Sequence, residues 1–388
     1  MEIRIRDNAN IKEIALVENG IMKEYYEERE NNNRCEGNIY IGIVKDVLKG
    51  MQAAFVDIGT EKNSFIHLKD VLPKIDESKE EQNLNIKIEE VIKEGQKLLI
   101  QLKKDSTDNK GARISTHINL TSKYIVLMPN TNIITVSKKI ENIKERQRLI
   151  ELVKKNITPG NGAVVRTSAE GKEKELVKDI KYIENRWQSI IDTFVDPIDS
   201  NPVLLYSENS IVEKMLIDLN GVEQIISNNE NELKKYEKYD VELKEENKEN
   251  IFLVDNIQNQ IDKLQKRKIW LKCGGFITID KTEALTAIDV NTGKFTGNNS
   301  LGETVFKVNK EATIQIAKQL RLRDLGGIII IDYIDMQRKE DKQEIEKILI
   351  EELKKDRSKT QLEGFTKLDL MELTRKHICS PVKDNMNI

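Results

Sequence analysis

In the stretch 285-LTAIDVNTGKFTG-297 an apolar run climbs to Asp289, and two residues later Asn291 leads into a glycine-punctuated turn. A short apolar run bounded by turn signals reads as a buried strand. Residues i and i+2 of a strand share a face, so Asp289 and Asn291 are co-facial. Turn chemistry accounts for each of them singly, because Asp and Asn favour loop starts. A metal or a phosphate accounts for both together. A second strand, 328-IIIIDYIDM-336, is continuously apolar and also ends in an aspartate, Asp332. Between the two, 300-SLGETVFKVNKEATIQIAKQLRLRDLGG-327 reads as one long helix, with Ser300 and Glu303 as a capping box and Gly326-Gly327 as the stop. Such a crossover lays two strands in parallel within one sheet. Both carboxylates then emerge at the carboxyl edge, where open α/β sheets bind ligands. Close carboxylates repel, and a divalent cation relieves the repulsion. The competing reading is two ordinary strand-end aspartates capping turns.

Outward from this α/β unit, 388 residues are too many for one ordinary core, so two to four domains are expected. The 63 basic and 66 acidic residues leave a net charge of −3, so any polyanion-binding surface must come from local clustering. No apolar run approaches the ~20 residues that span a bilayer, and MEIRIRDNAN lacks a secretory apolar stretch. Cys35, Cys273 and Cys379 are far apart, which suits reduced thiols rather than disulfides or a zinc knuckle. A cytoplasmic enzyme or binding protein is expected. HExxH, P-loop and GxSxG motifs are missing, so zinc hydrolase, NTPase and serine hydrolase readings have no support. His67, His117 and His377 read as ordinary surface or core histidines.

Along the chain, Asn19-Gly20 between IKEIALVE and IMKEYYEE signals a hairpin that needs a later docking partner. From Asn38, short strands broken by Gly50 and Gly59, with 95-GQKLLIQL-102, suggest a small β-barrel. The stretch 76-DESKEEQNLNIKIEE-90 reads as an exposed loop. A helix is expected near 141–155 and a strand at 162-GAVVRTS-168. A second helix carries a packing stripe of Leu176, Ile180, Ile183, Trp187, Ile190 and Phe194. The polar run 228-NNENELKKYEKYDVELKEENKEN-250 reads as a solvated face or loop without function.

The blocks GGFITIDKTEALTAIDVNTGKF and IAKQLRLRDLGGIIIIDYIDM closely resemble the catalytic domain of the ribonuclease E/G family. GNIYIGIVKDVLKGMQAAFVDIGTEKNSFIHL resembles that family's OB-fold, and KYIVLMPN with GAVVRTS resembles its pocket for RNA 5′ ends. The matches run in family order over nearly the whole chain, and the compact form is nearer the ribonuclease G branch. The resemblance implies a mixed α+β and α/β multidomain fold. An RNase H-like subdomain would be split between 1–35 and 203–270. Into it are inserted an OB-fold RNA-binding domain (36–116) and a 5′-sensor (117–202). A DNase I-like catalytic subdomain (271–378) and a tail (379–388) follow.

The resemblance also implies roles. The metal-binding aspartates fall on Asp289 and Asp332, with Asn291 as their catalytic companion and Mg²⁺ as the cofactor. The OB-fold aromatics fall on Phe55 and Phe65, and Lys110 falls near the RNA path. Stacked bases tolerate many sequences; for Phe55 the bland alternative is a core position in a strand. Arg166 and Thr167 fall on residues holding a 5′-phosphate, which a guanidinium fork and a hydroxyl suit. Val126 and Ser122 fall on the other walls, and one branch has glycine where Ser122 stands. The family usually continues into a CxxC element binding zinc between two subunits. Here 373-LTRKHICSPVKDNMNI-388 carries one cysteine and no such motif, so zinc is not expected and a homodimer would have to form without it. The implied function is Mg²⁺-dependent endonucleolytic cleavage of single-stranded RNA, in RNA processing and decay, giving 5′-phosphate and 3′-hydroxyl products. Two alternatives stay open: a non-catalytic RNA-binding scaffold, and a DNA nuclease using the same metal. Asp289→Asn separates scaffold from enzyme, since only an enzyme loses cleavage while keeping RNA.

Overall fold

A computed structural model describes residues 1–8, 10–29, 36–72, 86–106, 110–195, 201–293 and 301–378. The chain forms two compact units, one of residues 1–33 with 211–388 and one of residues 34–210.

In the second unit a sheet runs in the order Val203–Tyr206, Ile39–Leu48, Ala53–Asp57, Ser64–His67, Arg113–Ser115, Lys97–Lys104. Ile39–Leu48 pairs again with Lys97–Lys104. That closes five strands into a barrel, consistent with an OB-like fold. Closure leaves the inward residues Tyr40, Val44, Val56, Ile66, Ile100 and Ile114 as its core. Residues 76–85 of the acidic stretch lie outside the described residues. Its end is not a loop: Ile88–Val91 is a helical turn, and Ile88 and Ile92 are buried in the barrel core. Residues 203–206, which open the sequence-defined 203–270 segment, pair with the barrel strand Ile39–Leu48.

The rest of this unit is a four-stranded sheet, Ile134–Val136, Gly162–Val165, Ile125–Met128 and Leu120–Thr121. Helices Ile143–Asn156 and Glu173–Val195 cover it. The expected stripe is buried from Leu176 to Ile190, and Phe194 is only half-buried.

The first unit contains two sheets. One has the order Glu242–Glu245, Gln224–Ser227, Glu2–Asn8, Ile11–Glu18, Ile21–Arg29. Asn19 (φ 51°) and Gly20 (φ 72°) make the left-handed turn the hairpin needs. Its docking partner is Gln224–Ser227, parallel to Glu2–Asn8 with Ile3 beside Ile225. The polar run 228–250 is not a simple solvated face. Asn229 caps a helix at Glu230–Lys234, Leu233 and Tyr236 enter the core, and Glu242–Glu245 is an edge strand. Two apolar side chains three residues apart suffice to anchor it, and its charge density hides them.

The second sheet runs Lys268–Trp270, Phe276–Lys281, Leu285–Asn291, Gly327–Asp332, Leu370–Arg375, Thr360–Phe365. Helices Leu301–Leu322 and Lys339–Leu353 cover one face around Val308, Ile316, Leu320, Ile345 and Leu349. The first helix also packs Leu322 into the core beneath the hairpin. Its stop differs from expectation. Ser300 lies outside the described residues, and the first left-handed residue after the helix is Asp324 (φ 45°), while Gly327 (φ 84°) already begins the next strand. Carboxylate hydrogen bonds hold it there, from Arg375 at 2.7 Å and from the Ile378 amide. Gly326 instead permits a close approach: an added Cβ would lie 2.7 Å from the His377 ring.

Candidate active site

Asp289 and Asn291 lie on the open face of the second sheet. In Leu285–Asn291, Thr286, Ile288 and Val290 point into the helix layer, while Ala287 and Asp289 are exposed. In Gly327–Asp332, Ile329 and Ile331 are buried and Asp332 is exposed. The two strands are parallel, and Asp289 sits directly opposite Asp332 in the register. Neighbouring strands lie about 4.8 Å apart, so the two side chains leave the sheet side by side. The Asn291 amide donates to the Asp289 carboxylate at 2.5 Å.

Partial burial pushes the Asp332 carboxyl up, and the negative charges of Asp289 and Asp335 add to it. Two carboxylates and an amide oxygen form a hard-oxygen donor set. Among the described residues no group of three or more His, Cys, Asp or Glu could hold a metal by itself. An ion here would take two carboxylates from the protein and leave its other positions to water or phosphate. That suits Mg²⁺ better than a closed structural zinc site.

Asn309 was not legible as part of this site. It is fully buried on the Leu301–Leu322 helix. Its amide donates to the Ile334 carbonyl at 2.8 Å and accepts from the Ile334 amide at 3.1 Å. Those bonds fix the backbone two residues beyond Asp332. The only signal was a polar residue on an apolar helical stripe. The three histidines have structural partners: His67 caps a helical turn, and His117 and His377 meet the Leu72 and Asp324 carbonyls.

On the barrel, Phe55 and Phe65 are cross-strand neighbours and half-buried, their rings edge-to-face at 6.1 Å and 69°. Phe55 is therefore not a core residue. The Phe65 amide donates to the Ala112 carbonyl at 2.7 Å. Gly111 allows this approach, since a Cβ there would meet the Asn63 carbonyl at 2.1 Å. Lys110 is exposed on that same segment. If these rings stack RNA bases, Phe55→Ala and Phe65→Ala each weaken binding to single-stranded RNA by ~1–3 kcal/mol. Filter-binding titrations check this; unchanged affinity in a folded variant would make the ring a packing residue only.

Ser122, Val126, Arg166 and Thr167 gather at one end of the four-stranded sheet. Val126 is half-buried and pairs with Val164 and Thr121. Arg166 follows the Gly162–Val165 strand and donates to the Ser122 carbonyl at 2.8 Å. The Thr167 hydroxyl is 3.0 Å from that of Ser137. Asp179, which spacing did not single out, accepts from the Ser122 hydroxyl and, at 2.8 Å, from the Tyr124 amide. Burial pushes the Asp179 carboxyl up, while those hydrogen bonds and the Arg166 charge oppose the shift. Asp179 thus holds the Ser122–Tyr124 turn whose carbonyl orients Arg166.

A model of the ribonuclease E/G family matches residues 119–378. The chain is 38% identical over 379 residues to a ribonuclease G of Escherichia coli (strain K12), covering 94% of this chain and 77% of that protein. A Haemophilus influenzae ribonuclease G is 38% identical over 392 residues, covering 97% and 79%. A ribonuclease E of Nostoc is 35% identical over 361 residues, covering 88% and 51%. The likeness covers residues of both units, and the chain belongs to the ribonuclease E/G family.

Proposed function

We propose that the chain, an endoribonuclease by its family, cleaves single-stranded RNA with Mg²⁺ held by Asp289 and Asp332. The observation that carries this is the in-register Asp289–Asp332 pair with Asn291 hydrogen-bonded to it. The chemistry such an ion supplies when bound is Lewis-acid polarisation of a phosphate oxygen and a more acidic water. The protein's share is placement. The parallel register sets the carboxylates side by side, Asn291 orients Asp289, and Asn309 fixes the chain after Asp332. Phe55 and Phe65 offer rings for bases, with Lys110 exposed nearby for the backbone.

The finer architecture belongs to the same reading. Strand order and direction around Glu2–Asn8, antiparallel to Ile11–Glu18 and parallel to Gln224–Ser227, support an RNase H-like subdomain formed from residues 1–35 with 203–270, apart from the barrel-paired strand 203–206. Residues 36–116 serve as the OB-fold domain, 117–202 as the 5′-sensor and 271–378 as a DNase I-like catalytic subdomain. The separated cysteines suit the cytoplasm. No helix among the described residues is long and apolar enough to cross a membrane.

Arg166, Thr167, Val126 and Ser122 form the pocket for a 5′-monophosphate. Arg166→Ala is expected to lower the preference for 5′-monophosphorylated over 5′-hydroxyl RNA, because charge-assisted hydrogen bonds to the terminal phosphate are lost. Cleavage of the hydroxyl form should change little. Timed cleavage of both RNAs, with and without Mg²⁺, tests sensing and metal dependence together. An equal loss on both RNAs would assign Arg166 to folding or general binding. Cutting that persists in a chelator would remove the metal from the account.

A further inference from the structure

The aromatic pair Trp270–Phe276 lies outside the sites above. Trp270 and Phe276 are cross-strand neighbours on adjacent strands of the catalytic sheet, and Phe276 in turn is opposite Asn291. The period-two pleat therefore puts Trp270, Phe276 and Asn291 on one face, the face that carries Asp289. The rings meet edge-to-face at 5.3 Å and 62°. Trp270 is 59% exposed, which is unusual for so large an apolar side chain. The Lys268 ammonium sits 3.5 Å from the Phe276 centroid and 4.2 Å from that of Trp270. Gly293 closes the base of the pair: a Cβ there would lie 3.3 Å from the Phe276 ring and 3.5 Å from Trp270. The platform is thus built into the sheet, and Phe276 stands one strand, about 4.8 Å, from Asn291.

We infer that Trp270 and Phe276, with Lys268 beside them, form a second base-stacking platform that holds a nucleotide of the RNA strand next to the Asp289–Asp332 centre. The inference rests on the RNA-cleaving reading of that centre. Three features specify a nucleotide. The exposed ring stacks a base of any identity, and the Lys268 charge meets a phosphate. The platform also adjoins, on one sheet face, the carboxylates assigned to a scissile phosphate. The Phe55–Phe65 pair has the same make-up, two half-open rings edge-to-face with a lysine on a neighbouring segment. Trp270 is a positioning residue here and takes no part in bond breaking.

The test combines kinetics and fluorescence on the full chain. Trp270→Leu should raise KM for single-stranded RNA by roughly 5- to 150-fold, the value of one stacked base, with kcat within about twofold. Trp270→Phe, which keeps a ring, should recover most of that loss. Single-stranded RNA added without divalent metal should quench the tryptophan emission of the wild-type chain and not that of Trp270→Phe. Unchanged KM in Trp270→Leu, with its circular dichroism and melting temperature preserved, overturns the platform. So does quenching that is equal in wild type and Trp270→Phe. If the wild-type chain cuts no RNA, the cleavage reading fails by itself, and the fluorescence titration still decides the platform.

Discussion

Asp289→Ala and Asp332→Asn are each expected to lower Mg²⁺-dependent RNA cleavage by ~10²–10³-fold, the usual cost of removing a preorganised electrostatic contribution at a phosphoryl or acyl centre. Neither side chain supports the core. Both are exposed, and their strands are anchored by Ile288, Val290, Ile329 and Ile331 on the opposite face. Stability should move the other way. Burial and the Asp289 charge raise the Asp332 carboxyl above its ordinary value, so the folded chain holds that proton more tightly than the unfolded chain. The associated stability is present below the unfolded carboxylate value and is lost as pH rises through the raised one. Without divalent ions, Asp332→Asn should therefore melt no lower than wild type at neutral pH, and any gain should vanish in acid. Thermal melts at two pH values beside a cleavage assay check both halves. Wild-type cleavage by either variant in limiting Mg²⁺ would contradict the site.

The largest stability effect is expected at Arg375. Its side chain is fully buried, with Nε 2.8 Å from the Asp356 carboxylate and Nη1 2.7 Å from Asp324 and 3.0 Å from the Leu325 carbonyl. It ties the Leu370–Arg375 strand to the end of each covering helix. Arg375→Met removes the cation that both carboxylates share, and losing one partner of a buried pair costs ~3–5 kcal/mol. For a unit of this size that lowers the melting temperature by about 10 °C. Asp356→Leu combined with Arg375→Met should recover part of the loss, because one stranded charge is then gone. Calorimetry on the two variants checks this; an unchanged melting temperature in Arg375→Met would show the network to be idle. The strand also borders the site, with Leu370 opposite Asp332, so cleavage should fail at a lower temperature.

Legibility in the sequence followed the range of the forces involved. The strand ending at Asp289, the Asn19-Gly20 hairpin and the Leu176–Ile190 stripe are local patterns, and the structure contains all three. The parallel crossover was readable because a long helix between two strands leaves few topologies. Asp179 and Asn309 were not readable. Each serves a backbone segment distant in sequence, 55 residues away for Tyr124 and 25 for Ile334. The helix stop was misplaced because Asp324 takes a left-handed conformation through tertiary hydrogen bonds that no spacing reveals. The run 328-IIIIDYIDM-336 is continuously apolar, yet Ile328 is 51% exposed. Composition cannot say which sheet face a helix layer will take.

The most direct measurement is the chemistry of the ends produced when the wild-type chain cuts a short single-stranded RNA in Mg²⁺, read by mass spectrometry. Attack by water at a centre built from Asp289, Asn291 and Asp332 leaves a 5′-phosphate on the downstream fragment and a 3′-hydroxyl on the upstream one. A 2′,3′-cyclic phosphate would instead mean attack by the RNA's own 2′-hydroxyl, and would contradict the paired aspartates as a metal-dependent hydrolytic site.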